Sequence, residues 1–137
     1  MQSTKIFEKP IYAKIGVEKY KTIVVWRNGE FITDEPVSSG GKDLGPDPYT
    51  LLLSSLAACT LATLRMYIDQ KQWQIPEIFV EVNMSQEKGD HLITTLERKI
   101  SFNEDISEEQ KERLLLIAKK CPVSRLLENQ IVLSTKI

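Results

Sequence analysis

The sequence predicts an α+β fold in a single domain, residues 1–137, built around a mostly antiparallel sheet. Three observations predict it. Strand-like segments lie towards both ends of the chain, one long apolar segment lies between them, and a shorter amphipathic segment follows near the C-terminus. Of the 137 residues, 42% are hydrophobic. A chain of this size can bury one core without a metal or a disulfide.

The first predicted strands lie between residues 10 and 33. IYAKIGV and TIVVWR carry β-branched and aromatic residues that suit a pleated surface, and Asn28-Gly29 predicts a hairpin turn before EFIT. A second hairpin is predicted over residues 77–102, with Lys88-Gly89-Asp90 as its turn. The C-terminal IVLSTKI is predicted to form a final strand. The Gly- and Pro-rich residues 34–48 predict a long loop, a kind of segment that often carries function.

One long helix is predicted over residues 48–72, with Asp47 as its cap and Pro48 as its first residue. Almost no polar residue interrupts it between Leu51 and Leu64, so we expect it to be buried nearly all round. One sheet face covers only one side of a helix, and the other side then needs another helix or a second subunit. This apolar stretch is expected to be too short to span a bilayer.

Two shorter helices are predicted after the second hairpin. Ser107 followed by Gln110 forms a capping-box pattern, which predicts a helix start. Pro122 ends that helix and can begin the next one, because proline lacks an N–H and has a helical φ.

Composition argues against several classes of protein. The formal charge is −1 and no long run of like charge occurs, so neither nucleic acid nor a membrane is an expected partner. The N-terminal residues lack the apolar stretch of a secretory signal, so we expect a cytoplasmic protein. The only histidine, His91, lies next to a predicted turn. A metal site or a histidine-dependent catalytic set is therefore not expected.

The two cysteines are the candidate chemical groups. Cys59 lies in the middle of the long apolar helix, and Cys121 lies directly before Pro122. Buried cysteines are most often apolar fillers, and a reactive Cys59 needs a cation or hydrogen-bond donors from the rest of the fold. Cys121 lies at a predicted helix start, where the helix dipole favours a thiolate, and Arg125 is a candidate cation one turn further on.

A combination of motifs is more specific than the cysteines alone. The segment DEPVSSGGKDLGPDPYTLLLSSLAACTLATLRMY, followed by KKCPVSRLL at residues 119–127, resembles the OsmC/Ohr family of osmotically inducible and organic hydroperoxide resistance proteins, in its general OsmC-like branch. The resemblance implies an OsmC/Ohr-like α+β fold with a long buried central helix and an intertwined homodimer. It also implies thiol-dependent reduction of small, often organic hydroperoxides, with no cofactor beyond an external dithiol reductant.

The resemblance also assigns roles to the cysteines. By position, Cys59 is the peroxidatic residue, which attacks the peroxide and becomes a sulfenic acid. Cys121 is the resolving residue, which forms a disulfide with it. The activating glutamate of the family would fall at Tyr49, ten positions before Cys59, so its role is unassigned here.

Two further family positions differ or align poorly. The activating arginine of the family comes from the N-terminal strands, where Arg27 is the only arginine before Cys59. Arg27 is therefore a candidate activator, or else a solvated residue beside the Asn28-Gly29 turn. Ser124 stands where the branch often has histidine, which removes one proton donor near Cys121.

The missing glutamate keeps other functions open. The first alternative is a catalytically weak redox-sensing or hydrophobic-ligand-binding protein, with an apolar pocket lined by the long helix and the loop. The second is a structural domain with two inert cysteines. These readings differ from the peroxidase in the turnover and thiol reactivity that they predict.

Overall fold

The computed structural model describes residues 2–137, which divide after Leu51 into two compact units. Together the two units contain the helices and antiparallel strands of an α+β fold. The prediction of a single domain over residues 1–137 stays a prediction. The strands of the first unit are β1 (Tyr12–Ile15), β2 (Thr22–Trp26) and β3 (Gly29–Thr33).

The three strands of the first unit form an antiparallel sheet in the order β1-β2-β3. Only Arg27 and Asn28 connect β2 to β3, because Trp26 pairs directly with Gly29. Gly29 has a φ of 151°, a conformation that favours glycine. The hairpin predicted from Asn28-Gly29 is therefore confirmed, with its two-residue turn one position earlier.

The loop after β3 is organised by a buried carboxylate. Asp34 is 2% exposed, and its two oxygens accept four backbone hydrogen bonds of 2.8–3.2 Å. Burial raises the pKa of Asp34, but these hydrogen bonds lower it below its usual value overall. The four hydrogen-bond donors to Asp34 are the N–H groups of Tyr20, Glu35, Lys42 and Leu44.

The loop chain also passes close to itself at Gly41, where a Cβ would lie 2.0 Å from the carbonyl oxygen of Glu35.

The long central helix, α1, spans Pro48–Lys71. As predicted, Asp47 caps it: its carboxylate accepts hydrogen bonds from the N–H groups of Tyr49 at 3.2 Å and Thr50 at 3.4 Å. Within the single chain α1 buries one row of residues spaced four apart, while Met66 remains 72% exposed. This row defines the inner face of α1. Its members are Leu56, Thr60, Leu64 and Ile68.

Helix α1 also has the length and composition of a membrane-spanning helix. Its 24 residues include an 18-residue window of mean hydropathy 1.6, and it is the one such helix among the described residues. The sequence expectation considered only the interrupted stretch between Leu51 and Leu64, whereas the regular helix extends beyond it on both sides. The core helix of a globular protein has the same properties.

The second unit contains the predicted second hairpin, formed by β4 (Ile78–Lys88) and β5 (Leu92–Phe102). Alternate residues of β5 point to opposite faces, and those from Leu96 to Phe102 alternate between half-buried and exposed. One face of β5 is therefore its inner face. Its half-buried members are Leu96, Arg98, Ile100 and Phe102.

Two helices follow β5, as predicted. Helix α2 (Glu108–Ala118) starts at a complete capping box between Ser107 and Gln110. Helix α3 (Pro122–Leu127) starts at Pro122, with Cys121 as its N-cap. The core joins α1 to α2 through buried apolar side chains. These are Leu64, Ile68, Ile75, Leu114 and Ala118.

Two sequence expectations about strands were wrong. The strands form two separate antiparallel sheets, of three and two strands, instead of one. The predicted final strand, IVLSTKI at residues 131–137, has no regular structure. A strand needs a neighbour to complete its hydrogen-bond ladder, and no described strand pairs with this segment. Its apolar residues are consequently exposed; Leu133, for example, is 88% exposed.

Candidate redox thiol site

An arginine from β5 is the centre of the polar cluster in the second unit. Arg98 lies on the inner face of β5, between Leu96 and Ile100. Its Nη1 donates to the Thr60 hydroxyl at 2.8 Å and to the Ser124 hydroxyl at 2.7 Å. The same nitrogen lies 3.6 Å from the sulfur of Cys121. One guanidinium group thus links β5 to α1 and α3.

Cys121 is fully buried and held by the first turn of α3. Its sulfur accepts a hydrogen bond from the backbone N–H of Ser124 at 3.4 Å and lies 3.0 Å from the Ser124 hydroxyl oxygen. That oxygen accepts from Arg98, so the serine hydrogen is free to donate to the sulfur. Ser124 therefore supplies a donor at the position where the family branch often has histidine.

Thr60 anchors the arginine from the side of α1. Its hydroxyl donates to the Leu56 carbonyl at 2.7 Å, which leaves a lone pair to accept from Arg98. The Thr60 oxygen also lies 3.9 Å from the Cys121 sulfur. Thr60 and Ser124 are 0% and 4% exposed. The arginine is thus fixed by two buried hydroxyl groups.

These contacts determine the ionisation of Cys121. Burial raises the pKa of its thiol, but hydrogen bonds from the side chain and backbone of Ser124, with smaller contributions from Thr60 and Cys59, lower it overall to about 7. A guanidinium 3.6 Å from the sulfur also favours the anionic form. These contacts therefore favour the thiolate form of Cys121 near neutral pH.

The second cysteine lies beside the first. Cys59 is half-buried on α1, next to Thr60, and both cysteines are free thiols. The Cys59 thiol lies near Cys121 and contributes to the lowering of its pKa. The fold of the second unit thus brings together two thiols that are 62 positions apart in the sequence. A pair of thiols in contact can carry out two-electron redox chemistry.

An apolar cavity opens next to this cluster. It has a volume of about 410 Å³ and is lined by residues of β5, α2 and the loop between them, with Arg98 among its lining residues. The sequence predicted a pocket lined by the long helix and the Gly-rich loop, whereas this cavity is lined by β5, α2 and the loop between them. Its apolar lining consists of Ile100, Phe102, Ile106, Leu114 and Leu115.

The family model described as OsmC-like protein matches residues 40–136. The chain belongs to this OsmC-like family. The match covers more than half of the chain and contains the segments that carry the resemblance noted in the sequence. No curated protein sequence matches the chain at a significant level.

Solved structures of OsmC and Ohr proteins share the fold of this OsmC-like chain. An OsmC-like protein from Mycoplasma pneumoniae is 24% identical, with a TM-score of 0.68 over 90% of this chain and 89% of that one. The organic hydroperoxide resistance protein OhrB of Bacillus subtilis is 19% identical, with a TM-score of 0.65 over 90% and 93%. A Psychrobacter arcticus protein named for osmotic stress induction and detoxification is 23% identical, with a TM-score of 0.72 over 92% and 90%. At these identities the similarity establishes the fold.

The remaining candidate residues of this OsmC-like chain lie in other settings. The guanidinium of Arg27 stacks 5.1 Å from the ring centroid of Trp26, within the first unit. Tyr49, at the glutamate position of the family, is 59% exposed. Arg125 is exposed, and its backbone N–H donates to the Cys121 carbonyl.

Sequence reasoning missed Arg98, although one signal could have found it. In LITTLERKISF, Arg98 has the same parity as Leu96, Ile100 and Phe102, which places a cation on the apolar face of the strand. A charged residue at such a position is buried only with a partner. In this chain Arg98 donates to the hydroxyl groups of Thr60 and Ser124 and lies 3.6 Å from the sulfur of Cys121.

Proposed function

We propose that this OsmC-like protein is a cytoplasmic thiol peroxidase that reduces organic hydroperoxides, with Cys59 as the attacking residue and Cys121 as the resolving residue. The observation that carries the proposal is the proximity of two free thiols, one of which has its pKa lowered to about 7. Membership of a family that includes organic hydroperoxide resistance proteins supports the same reaction.

The different burial of the two sulfurs supports this division of roles. Cys59 is half-buried, whereas Cys121 is 0% exposed. A peroxide molecule therefore reaches Cys59 more easily. A resolving cysteine needs only to reach its partner thiol, and it must attack as a thiolate. The pKa of Cys121, lowered to about 7, suits that second role.

The reaction then proceeds in two steps. The Cys59 thiolate attacks the terminal oxygen of ROOH, the O–O bond breaks, and the alkoxide leaves as ROH after gaining a proton. Cys59 is now a sulfenic acid. The Cys121 thiolate attacks the sulfur of Cys59, the S–O bond breaks, and hydroxide leaves as water after protonation. An external dithiol reduces the resulting disulfide, so the protein needs no bound cofactor.

The apolar cavity supports an organic substrate. Its lining combines five apolar side chains with Arg98, Ser101, Glu104, Asp105 and Lys111, and its volume of about 410 Å³ is sufficient for a small organic group. A hydroperoxide with an apolar tail buries that tail here, whereas hydrogen peroxide gains nothing from it. We therefore propose a preference for organic hydroperoxides over hydrogen peroxide.

The exposed surface of α1 supports a homodimer. Only four residues of this 24-residue helix are buried within one chain, while Met66 is 72% exposed. A helix this apolar gains stability when a second copy covers it. The same covering accounts for its membrane-like composition without a membrane. We therefore propose that α1 is the central, buried helix of a dimer that binds neither nucleic acid nor membranes.

The test is consumption of cumene hydroperoxide with dithiothreitol as the reductant. We expect multiple turnovers with the wild type and none with Cys59→Ser. In the absence of dithiothreitol, Cys121→Ser is expected to react once and to stop as a sulfenic acid, which dimedone labels at Cys59. Equal rates for the wild type and Cys59→Ser would refute the proposal.

A second function is favoured by one observation. Tyr49 stands where the family has its activating glutamate, and its side chain is exposed. The protein would then be a redox sensor that forms its disulfide without rapid turnover. A sensor consumes one equivalent of hydroperoxide per protein and then slows even with excess dithiol, whereas a peroxidase continues at its initial rate.

A further inference from the structure

We propose that Arg98 is a positioning residue that makes Cys121 the leaving thiolate when the oxidised protein is reduced, so that the dithiol attacks Cys59. This inference rests on the proposed function, because it concerns the disulfide that the peroxidase reaction produces. It goes beyond that function by assigning the direction of the reductive step and the residue that sets it.

The two sulfurs of the disulfide differ in access. Cys121 is 0% exposed and lies among Thr60, Arg98 and Ser124. Cys59 is half-buried. Attack on a disulfide requires an approach to one sulfur along the S–S axis, so access contributes to which sulfur is attacked. The incoming thiolate therefore reaches Cys59 first.

The two sulfurs also differ as leaving groups. A thiol with a lower pKa leaves faster in thiol–disulfide exchange. The Cys121 sulfur is met by the Ser124 hydroxyl at 3.0 Å, the Ser124 N–H at 3.4 Å and the Arg98 guanidinium at 3.6 Å. All three groups stabilise negative charge on this sulfur as the S–S bond breaks. Access and leaving-group stability thus favour the same direction of attack.

Arg98 does not depend on the charge of Cys121 for its position. Thr60 and Ser124 accept hydrogen bonds from it at 2.8 and 2.7 Å, and the Thr60 hydroxyl is itself fixed by the Leu56 carbonyl. The guanidinium therefore stays in place while the disulfide is intact. Such a preorganised cation needs no rearrangement when the negative charge develops.

Reduction of the protein disulfide takes two thiol–disulfide exchange reactions. One thiolate of the dithiol attacks the sulfur of Cys59, and the bond between Cys59 and Cys121 breaks with its electron pair on Cys121. A mixed disulfide between the reductant and Cys59 remains. The second thiolate of the dithiol attacks the reductant sulfur of this mixed disulfide and releases Cys59. The dithiol loses two electrons and becomes a cyclic disulfide, and the protein gains them as two thiols.

Two side chains that titrate or carry charge lie beside Cys121 in residues 2–137: Arg98 from β5 and Cys59 from α1. Once Cys59 is held in the mixed disulfide, Arg98 is the charged member of this pair that still acts on the leaving sulfur. The pH profile of the reductive step follows the ionisation of the attacking dithiol, so the effect of Arg98 is measured as a change in rate at a fixed pH.

The experiment starts from the disulfide form made with diamide, so that it needs no peroxidase activity. Reduction by dithiothreitol is followed by acid quenching, alkylation and mass spectrometry. For Arg98→Met we expect reduction to be about threefold slower at pH 7, because a leaving thiol whose pKa is one unit higher leaves more slowly by a fraction of a power of ten. Ser124→Ala is expected to shift the rate in the same direction. Arg125→Met, an exposed arginine four residues from Cys121, is the matched control and keeps the wild-type rate.

Two further measurements separate positioning from a general structural role. In wild-type protein treated with the monothiol 2-mercaptoethanol, the trapped mixed disulfide is expected on Cys59, which requires no variant. Arg98→Lys, which keeps the positive charge without the planar fork, is expected to recover part of the wild-type reduction rate at pH 7, a rescue that a merely structural role would not give.

Three outcomes overturn the inference. They are a mixed disulfide on Cys121, equal reduction rates in the wild type and in both the Arg98 and Ser124 variants, and failure of diamide to form the intramolecular disulfide. The proposed function fails separately, if the protein does not consume hydroperoxide while the diamide-made disulfide is still reduced through Cys59.

Discussion

The guanidinium of Arg98 donates to the hydroxyl of Ser124 across 2.7 Å and so joins the middle of β5 to the first turn of α3. The two residues are 26 positions apart in the sequence. Through this contact the serine hydroxyl becomes both an acceptor from a cation and a donor to the Cys121 sulfur. The chemistry of the thiol therefore depends on Arg98 from another element as well as on Ser124 in its own helix.

The pKa of Cys121 is the first prediction. A difference titration of thiolate absorbance near 240 nm, wild type minus Cys121→Ser, is expected to have its midpoint at about 7. Arg98→Met removes the neighbouring cation, so we expect the midpoint to rise by about one pKa unit. Arg98→Lys keeps the charge without the planar fork and should give an intermediate value. A midpoint that does not move in Arg98→Met would contradict the role of Arg98.

The contribution of Asp34 to stability is the second prediction. Its pKa is lowered in the folded protein, so its stabilising effect is present above the unfolded pKa of about 3.9 and is lost as pH falls through the folded value. We expect Asp34→Asn to unfold at lower urea concentration than the wild type at pH 7. The difference should begin to shrink as the pH falls below about 4, where the unfolded chain takes up a proton at Asp34, and should be lost below the lower pKa of the folded protein.

Asp43→Asn is the matched control for this prediction. Asp43 is an exposed acidic residue in the same loop, with a φ of 57° that asparagine also adopts. The Asp43→Asn variant should unfold at the same urea concentration as the wild type at every pH. A loss of stability in both variants would show that the loop is sensitive to any loss of charge, and that Asp34 has no special role.

The anchoring of Arg98 by Thr60 is the third prediction. Thr60→Val keeps the shape of this fully buried residue but removes the oxygen that accepts from Arg98. We expect a loss of about 1–3 kcal/mol in the free energy of unfolding, because a partly buried donor loses one of its partners. Urea denaturation measures this loss. Thr60→Ser retains the hydroxyl, so it should be less destabilised and should keep the Cys121 titration midpoint.

The self-association of α1 is the fourth prediction. Met66 is 72% exposed in the single chain, so Met66→Lys should leave the fold of one protomer intact, as circular dichroism would report. In sedimentation at micromolar concentration we expect the wild type to be a dimer and Met66→Lys to be shifted towards monomer, because a charge is costly to bury in an apolar interface. Gln70→Lys, at another exposed position of α1, is the control. A monomeric wild type would contradict the proposed dimer.

Features that depend on local sequence could be predicted. The Asp47 cap, the capping box of Ser107 and Gln110, and the start of α3 at Pro122 are all formed by residues within four positions of each other. The two hairpins are similarly local, because a short turn places each strand beside the next one. The resemblance to the OsmC/Ohr family, which rests on the motifs around the two cysteines, is confirmed by the matching family model.

Features that depend on distant contacts could not be predicted. Arg98 acquires its role from Thr60 and Cys121, which are 38 and 23 positions away in the sequence. The sequence interpretation looked for a cation at Arg27 and Arg125 because they stand near a motif or near a cysteine along the chain. The strand predicted over residues 131–137 was wrong for a related reason, since composition shows that a segment suits a strand but not whether a neighbour exists.

The inner face of α1 has a consequence for how this protein can change during evolution. Thr60, which holds Arg98, occupies the same row of the helix as Leu56, Leu64 and Ile68, one turn from the nearest of them. A substitution that repacks this row also displaces the oxygen that fixes the guanidinium. A substitution in this row must therefore preserve thiol reactivity as well as packing. We expect the residues of this row to change together with residues of β5, rather than independently of them.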